Sequence, residues 1–160
     1  MIETEAKIRL SQEEFQELYQ RLGSPDFVLQ KNWGYYLEDG FLRVREEGDK
    51  KYVTLKRSNK GERYNSREEL EVEVSDATIA RDIFKVLGFD EHYYSKRRST
   101  KEIDGLVVCL DEISGLGYFV EIEGEEKGIA QILASFGLSN HSIERRNYFE
   151  IIKESGNGKL

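Results

Sequence analysis

The segment IETEAKIRL, residues 2–10, alternates without interruption: Ile2, Thr4, Ala6, Ile8 and Leu10 take one parity, Glu3, Glu5, Lys7 and Arg9 the other. A period of two is the pattern of an extended strand with one apolar and one polar face. The same alternation returns along the chain, and the second parity is charged rather than merely polar. It carries Arg43 and Arg45; Tyr52, Thr54 and Lys56; Glu69, Glu71 and Glu73; Tyr94, Lys96 and Arg98; Cys109 and Asp111; Phe119, Glu121 and Glu123. A sheet with one wet side would account for any single strand. It accounts poorly for the set, because glutamate and lysine are disfavoured in strands and like charges two residues apart on one face repel. Closing the sheet with the charged parity inward resolves the conflict. The apolar parity then meets covering helices outside, and no sheet edge is left unpaired.

The remaining segments supply those helices. SQEEFQELYQRLG (11–23) has a capping box in Ser11 and Glu14 and an apolar stripe of Phe15, Leu18 and Leu22. SDATIARDIFKVLG (75–88) reads as a second amphipathic helix with Ile79, Ile83, Val86 and Leu87 toward the core, and KGIAQILASFG (127–137) as a third. Strand pairs are expected within 27–46 about the EDG turn and within 93–113 about Asp104 and Gly105, with single strands at 51–57, 67–74 and 117–123. The expected fold class is therefore α+β: a closed or nearly closed antiparallel eight-stranded β-barrel, a tunnel with a charged lumen and helices packed outside. One domain is expected over residues 1–154, with 155–160 as a flexible tail.

A lumen with a basic wall and an acidic wall is costly unless something fills it, since desolvated unpaired charges cost several kcal/mol each. The fitting guest is a polyanion with divalent cations. Arginine and lysine take phosphate oxygens, and Mg²⁺ or Mn²⁺ joins carboxylates to phosphate; on this reading Glu3 and Glu5 face the metal and Lys7 the phosphate beside it. The formal charge of -7 weighs against duplex nucleic-acid binding, and no apolar run is long enough to span a bilayer. A single cysteine, Cys109, and an acidic amino terminus without an apolar signal segment fit the cytoplasm. There is no GxxxxGK[ST] phosphate loop. Cys109 reads as a packed small side chain, His92 and His141 as loop residues, and Trp33, Tyr35 and Tyr36 as wall packing.

ETEAK has the ExExK form, FLRVRE resembles an LRxR strand, VTLKR a lysine strand, REELEVEV an acidic strand, SKRR a KxR pair, and VCLDEISGLGYFVEIE a late acidic segment. In this order the blocks resemble the CYTH domain, the triphosphate tunnel metalloenzymes that include class IV adenylyl cyclases and thiamine triphosphatases. NYFEII (147–152) is similar to a carboxy-terminal tyrosine motif of the cyclase branch, and GLGYFVEIE is also closer to that branch. The resemblance implies metal ligands among Glu3, Glu5, Asp111, Glu121 and Glu123. It implies triphosphate contacts from Lys7, Arg43, Arg45, Lys56, Lys96 and Arg98, with Lys7, Arg45, Lys56 and Arg98 as the catalytic candidates and Glu69 and Glu71 in support. Two departures stand out: NWGYY lacks the aspartate usual before the tyrosine pair, and Asn147 replaces a serine before Tyr148.

The function expected first is a class IV adenylyl cyclase-like phosphorus-oxygen lyase converting ATP to cyclic AMP and pyrophosphate. The alternatives are a hydrolase of thiamine triphosphate or inorganic tripolyphosphate, and a module that binds polyphosphate or nucleotide without turnover. An unliganded interaction domain with a solvated sheet is a further account. The expected partner is a small triphosphate, with no membrane; pairing of two chains into a homodimer through the outer surface stays open.

Overall fold

The computed structural model describes residues 1–156; the expected tail falls partly outside these residues, at 157–160. Eight strands form a closed antiparallel barrel in the order β1-β5-β4-β3-β2-β6-β7-β8. They are β1 (Ile2–Leu10), β2 (Phe27–Leu37), β3 (Gly40–Glu47), β4 (Lys50–Lys56), β5 (Asn65–Glu73), β6 (His92–Ile103), β7 (Leu106–Ile113) and β8 (Gly117–Glu123). Four helices complete the described chain: α1 (Gln12–Arg21), α2 (Ala77–Val86), α3 (Glu126–Ser135) and α4 (Tyr148–Glu154). Closure leaves the two parities of each strand with different neighbours. On β1 the successive residues Glu5, Ala6, Lys7 and Ile8 are all buried, the odd ones toward the lumen and the even ones under helices.

The outer core follows from that parity. Ala6, Ile8, Val108, Leu110, Val120 and Ile122 of β1, β7 and β8 pack against Phe15 and Leu18 of α1 and against Ile129, Ile132 and Leu133 of α3. The Ser11 and Glu14 capping box forms as the sequence predicts, satisfying orphan amides at the start of α1. Across the barrel, Trp33, Tyr35 and Val44 receive α2.

The orientation of α2 differs from expectation. Its buried face is Ala77, with Ala80 and Phe84 packed beside it, whereas Ile79, Ile83, Val86 and Leu87 are exposed. This helix has two apolar flanks, and the one with two alanines lets its backbone approach a barrel surface already made bulky by Trp33 and Tyr35. Arg81 follows the alanine side, lying over the Trp33 ring and pairing with Glu91.

The fourth helix does not cover the outside. α4 closes one end of the barrel: Tyr148 and Phe149 pack with Phe41, Tyr94 and Phe119, all on lumen-facing positions of β3, β6 and β8. Asn147 caps it by accepting from the Glu150 amide. Gly34 makes room for this plug, since a Cβ there would stand 2.4 Å from the Phe149 ring.

Candidate functional site

The ring order sorts the charges. β8, β1 and β5 are consecutive and bring Glu121, Glu123, Glu3, Glu5, Glu69 and Glu71 inward. β3 and β6 flank β2 on the opposite side and bring Arg43, Arg45, Lys96 and Arg98. The acidic wall and the basic wall therefore face each other, with residues of the other sign at the two seams, Lys56 on β4 and Asp111 on β7, and Lys7 on β1 in the middle of the acidic wall. Between them lies a cavity of about 250 Å³. Twelve of the thirteen residues singled out from the sequence line it; the exception is Asp111.

Asp111 is fully buried beneath the wall. Its carboxylate accepts from Lys96 Nζ at 3.1 Å, from Arg98 Nε at 2.7 Å and Nη2 at 2.6 Å, and from the Tyr148 hydroxyl at 2.7 Å. Four charge-assisted contacts occupy its lone pairs. Arg98 also reaches Glu121 at 2.7 Å. Burial works to raise the carboxyls of Asp111 and Glu121, but Arg98 and Lys96 outweigh it and hold both below the usual range. Tyr148 completes the junction, with Lys7 Nζ and Lys96 Nζ each 4.5 Å from its ring centroid. Burial, reinforced by Asp111 and Glu121, holds its phenol protonated, so it donates.

Elsewhere the cations are aimed by neutral or shared partners. Arg45 donates to Asn32 Oδ1 at 2.7 Å, and Lys56 lies between Glu3 at 3.0 Å and Glu69 at 3.4 Å. Thr54 donates to Glu71 at 2.7 Å, and Lys7 Nζ donates to the Arg146 carbonyl at 3.0 Å. Burial lowers Lys96 to about 7, with Arg98 adding to it, and lowers Arg45 to about 10, with Arg43 and Arg98 adding. Cations that are partly desolvated and compensated by a neutral amide gain most from an arriving anion.

The acidic wall shows the reverse deficit. Burial, followed by repulsion from Glu121, pushes Glu5 up to about 7, and burial with Glu3 raises Glu123. Glu69 Oε2 is buried with the shared Lys56 ammonium at 3.4 Å as its ion-pair partner and no hydrogen bond. Among the described residues no three such donors stand close enough to hold an ion unaided. Hard oxygen donors crowded by their own repulsion nonetheless fit a divalent cation, and Mg²⁺ commonly takes one or two carboxylates and completes its shell with water and phosphate. The donor set therefore fits Mg²⁺ or Mn²⁺, with Glu3, Glu5, Glu121 and Glu123 as the carboxylates at hand.

Several participants escape the strand-by-strand reading. Asn32 occupies the lumen parity of β2 with Gln30 and Gly34, a signal present in LQKNWGYY as alternation with Leu29, Lys31, Trp33 and Tyr35. Phe41, Phe149, Arg67 and Asn147 also line the cavity, beside Tyr94, which parity had already turned inward. Cys109 is buried on the lumen side near the Thr100 hydroxyl, and burial raises its thiol. His141 pairs with Glu14 outside the barrel, and His92 packs on Tyr36.

Known proteins share these features. The family description "CYTH domain" matches residues 1–148. A Methanocaldococcus jannaschii protein carrying the provisional name adenylate cyclase is 32% identical over 124 residues, 71% of each chain. A Pyrococcus horikoshii protein of known structure superposes with a TM-score of 0.83 at 28% identity, covering 93% of this chain and 98% of that one. A Hippeastrum protein, provisionally an adenylyl cyclase and described as having a dominant triphosphatase activity, has a TM-score of 0.74 at 22% identity and covers 96% of each chain; it shares the fold.

Proposed function

The chain belongs to the CYTH domain family, and on that premise we propose that it is a metal-dependent enzyme that holds a triphosphate in the tunnel and hydrolyses it. The observation that carries this reading is the opposition of a basic wall and an acidic wall across one enclosed cavity. Anion capture alone gains nothing from six carboxylates beside the phosphates, whereas an enzyme that must bind a cation with its substrate needs them.

Arg43, Arg45, Lys96 and Arg98 grip the phosphate oxygens from one side, Lys56 from a seam and Lys7 from within the acidic wall. Their forks and point charges fix the chain in line for attack and stabilise charge as it spreads over the transferring group. Glu3, Glu5, Glu121 and Glu123 would hold the metal, which when bound would supply neutralisation of phosphate charge and polarisation of the phosphorus centre. Asp111 is a positioning residue that keeps Lys96, Arg98 and Tyr148 in register while its own lone pairs are taken. Water attacks the terminal phosphorus, the bridging P–O bond breaks, and orthophosphate leaves with the shortened chain.

A cavity of about 250 Å³, beside the roughly 300 to 1,000 Å³ of pockets that hold a whole organic ligand, suits a triphosphate chain, the part that the hydrolase and cyclase readings share; hydrolysis asks of the site only that chain and a water. The cyclase reading, in which the ribose 3′-hydroxyl attacks the α-phosphorus of ATP, draws on the name of the M. jannaschii relative. Phosphorus NMR after incubation with tripolyphosphate, thiamine triphosphate and ATP, each with Mg²⁺ or Mn²⁺, separates the two. Orthophosphate is expected. Cyclic AMP with pyrophosphate would establish the cyclase instead, and binding without any product would make the protein a polyphosphate module.

A further inference from the structure

One lumen-facing cation takes no part in the grip described above. Arg67 shares the parity of Glu69 and Glu71 on β5 and lines the same cavity. Glu3 stands opposite it in the register of β1 with β5, but that carboxylate goes to Lys56 at 3.0 Å. Arg67 instead lies 6.0 Å over the Phe41 ring and gives Nη1 to the Arg57 carbonyl at 3.3 Å. Phe41, Arg67 and Asn147 also line a second cavity, an annexe of about 420 Å³ beside α4. Its other walls are Tyr36 and Leu37 at the end of β2, Ser58 in the loop after β4, and Arg145 in the segment entering α4. Phe41, Arg67 and Asn147 therefore form the partition between tunnel and annexe.

The annexe has the groups to receive an anion. Arg145 gives an N–H to the Gly61 carbonyl and Arg67 one to Arg57, and among the described residues neither guanidinium has a carboxylate partner. A guanidinium carries five N–H donors, so most of each fork is left for phosphate oxygens. The loop that anchors Arg145 is itself pinned, since Asn59 Oδ1 accepts from the amides of Gly61 at 2.9 Å and Ser66 at 3.0 Å. Among the described residues Glu150 is the one carboxylate on the annexe wall, and it accepts from Asn147 Nδ2 at 2.6 Å. The Tyr36 hydroxyl, buried and without a hydrogen-bond partner, belongs to the same wall.

We propose that the annexe is a second anion site, which takes orthophosphate from the closed end of the tunnel; the inference rests on the hydrolase reading above. α4 blocks that end with Tyr148 and Phe149, so the terminal phosphate of the substrate lies deepest and orthophosphate is set free behind the shortened chain. Arg67 is placed to pass it on. A half-buried side chain held by one long hydrogen bond changes rotamer quickly, and Arg145 stands on the far side of the partition. Orthophosphate then leaves without waiting for the chain in front of it.

Titration calorimetry with inorganic phosphate tests this on the full chain, its tunnel already filled by Mg²⁺ and imidotriphosphate, whose nitrogen bridges resist hydrolysis. Orthophosphate is expected to bind beside the analogue. Arg145→Gln removes a charged donor and is expected to weaken that binding about tenfold or more. Leu37→Glu sets a carboxylate in the annexe wall with both guanidiniums in place; it is expected to act the same way and guards against a local disturbance at Gly61. Both variants should hold imidotriphosphate as the parent does. In hydrolysis of tripolyphosphate, orthophosphate is expected to give mixed inhibition of the parent, because it binds while a chain is still in the tunnel, and purely competitive inhibition of Arg145→Gln. No orthophosphate bound beside imidotriphosphate overturns the inference, as does binding that neither substitution weakens, or purely competitive inhibition of the parent. So does displacement of the phosphate by adenosine, which would assign the annexe to the organic end of a substrate. The titration needs no turnover, so a chain that cleaves no triphosphate would end the hydrolase reading while bound orthophosphate still upheld the anion site.

Discussion

Replacing Asp111 by asparagine tests whether one buried carboxylate holds the cationic side of the tunnel in place. The substitution keeps the shape, removes the charge, and turns an amide donor toward Lys96 and Arg98, which are themselves donors only. Taking away one member of a buried ion pair costs on the order of 3 to 5 kcal/mol. Lys96 has a partial escape, because burial has already brought its ammonium down to about 7. Without Asp111 that value falls further. Between the new value and about 7, the folded parent then carries a proton that the folded variant has shed, while both unfolded chains carry it. The variant therefore gains stability relative to the parent by about 1.4 kcal/mol for each pH unit in that window, and the gap is constant above it. Urea unfolding followed by circular dichroism is expected to show a loss of about 4 kcal/mol at pH 6, diminished by about 1.4 kcal/mol at pH 8. A loss below about 1 kcal/mol at both pH values, or an equal loss at the two, would refute the account of Asp111 as the anchor of Lys96 and Arg98.

Asn32→Ala removes the acceptor that aims Arg45; a hydrogen bond to a charged group contributes roughly 1.5 to 3 kcal/mol, so calorimetric titration should show tripolyphosphate bound about tenfold more weakly or worse. Unchanged affinity would mean that Arg45 aims itself. Glu5, raised to about 7, must lose its proton to meet a dication, so Mg²⁺ affinity should climb from pH 6 to pH 7 and level off above. Glu5→Gln should flatten that profile and weaken binding, as titrations at pH 6, 7 and 8 would reveal. Gly34→Ala drives a methyl against the Phe149 ring and is expected to cost about 1 to 3 kcal/mol in thermal unfolding. Phe149→Ala in the same chain should relieve the clash, leaving the pair less destabilising than the sum of the two.

The barrel was legible because parity is a strong signal when both faces are buried: Glu5 and Ala6 are both enclosed, one by the lumen and one by helices. Parity says which way a side chain points, and nothing about what reaches it. Asp111 and Glu121 share the lumen side, yet Asp111 disappears beneath Lys96, Arg98 and Tyr148 because α4 delivers the tyrosine from far along the chain. For α2, hydrophobicity favoured Ile79 and Ile83, but the barrel selected the flank that could approach closely, with Ala77 and Ala80. The seven-residue α4 was too short for its periodicity to stand out in NYFEII, and its function as a stopper depends on Gly34 more than a hundred residues earlier.

The α4 stopper turns the tunnel into a cul-de-sac. On the proposed function, a linear chain of phosphates would not thread past Tyr148 and Phe149 but would enter tip first and back out after each cut. Degradation of long polymers would be distributive for that reason, with intermediates of every length released into solution, and short products would compete with fresh substrate for the open end.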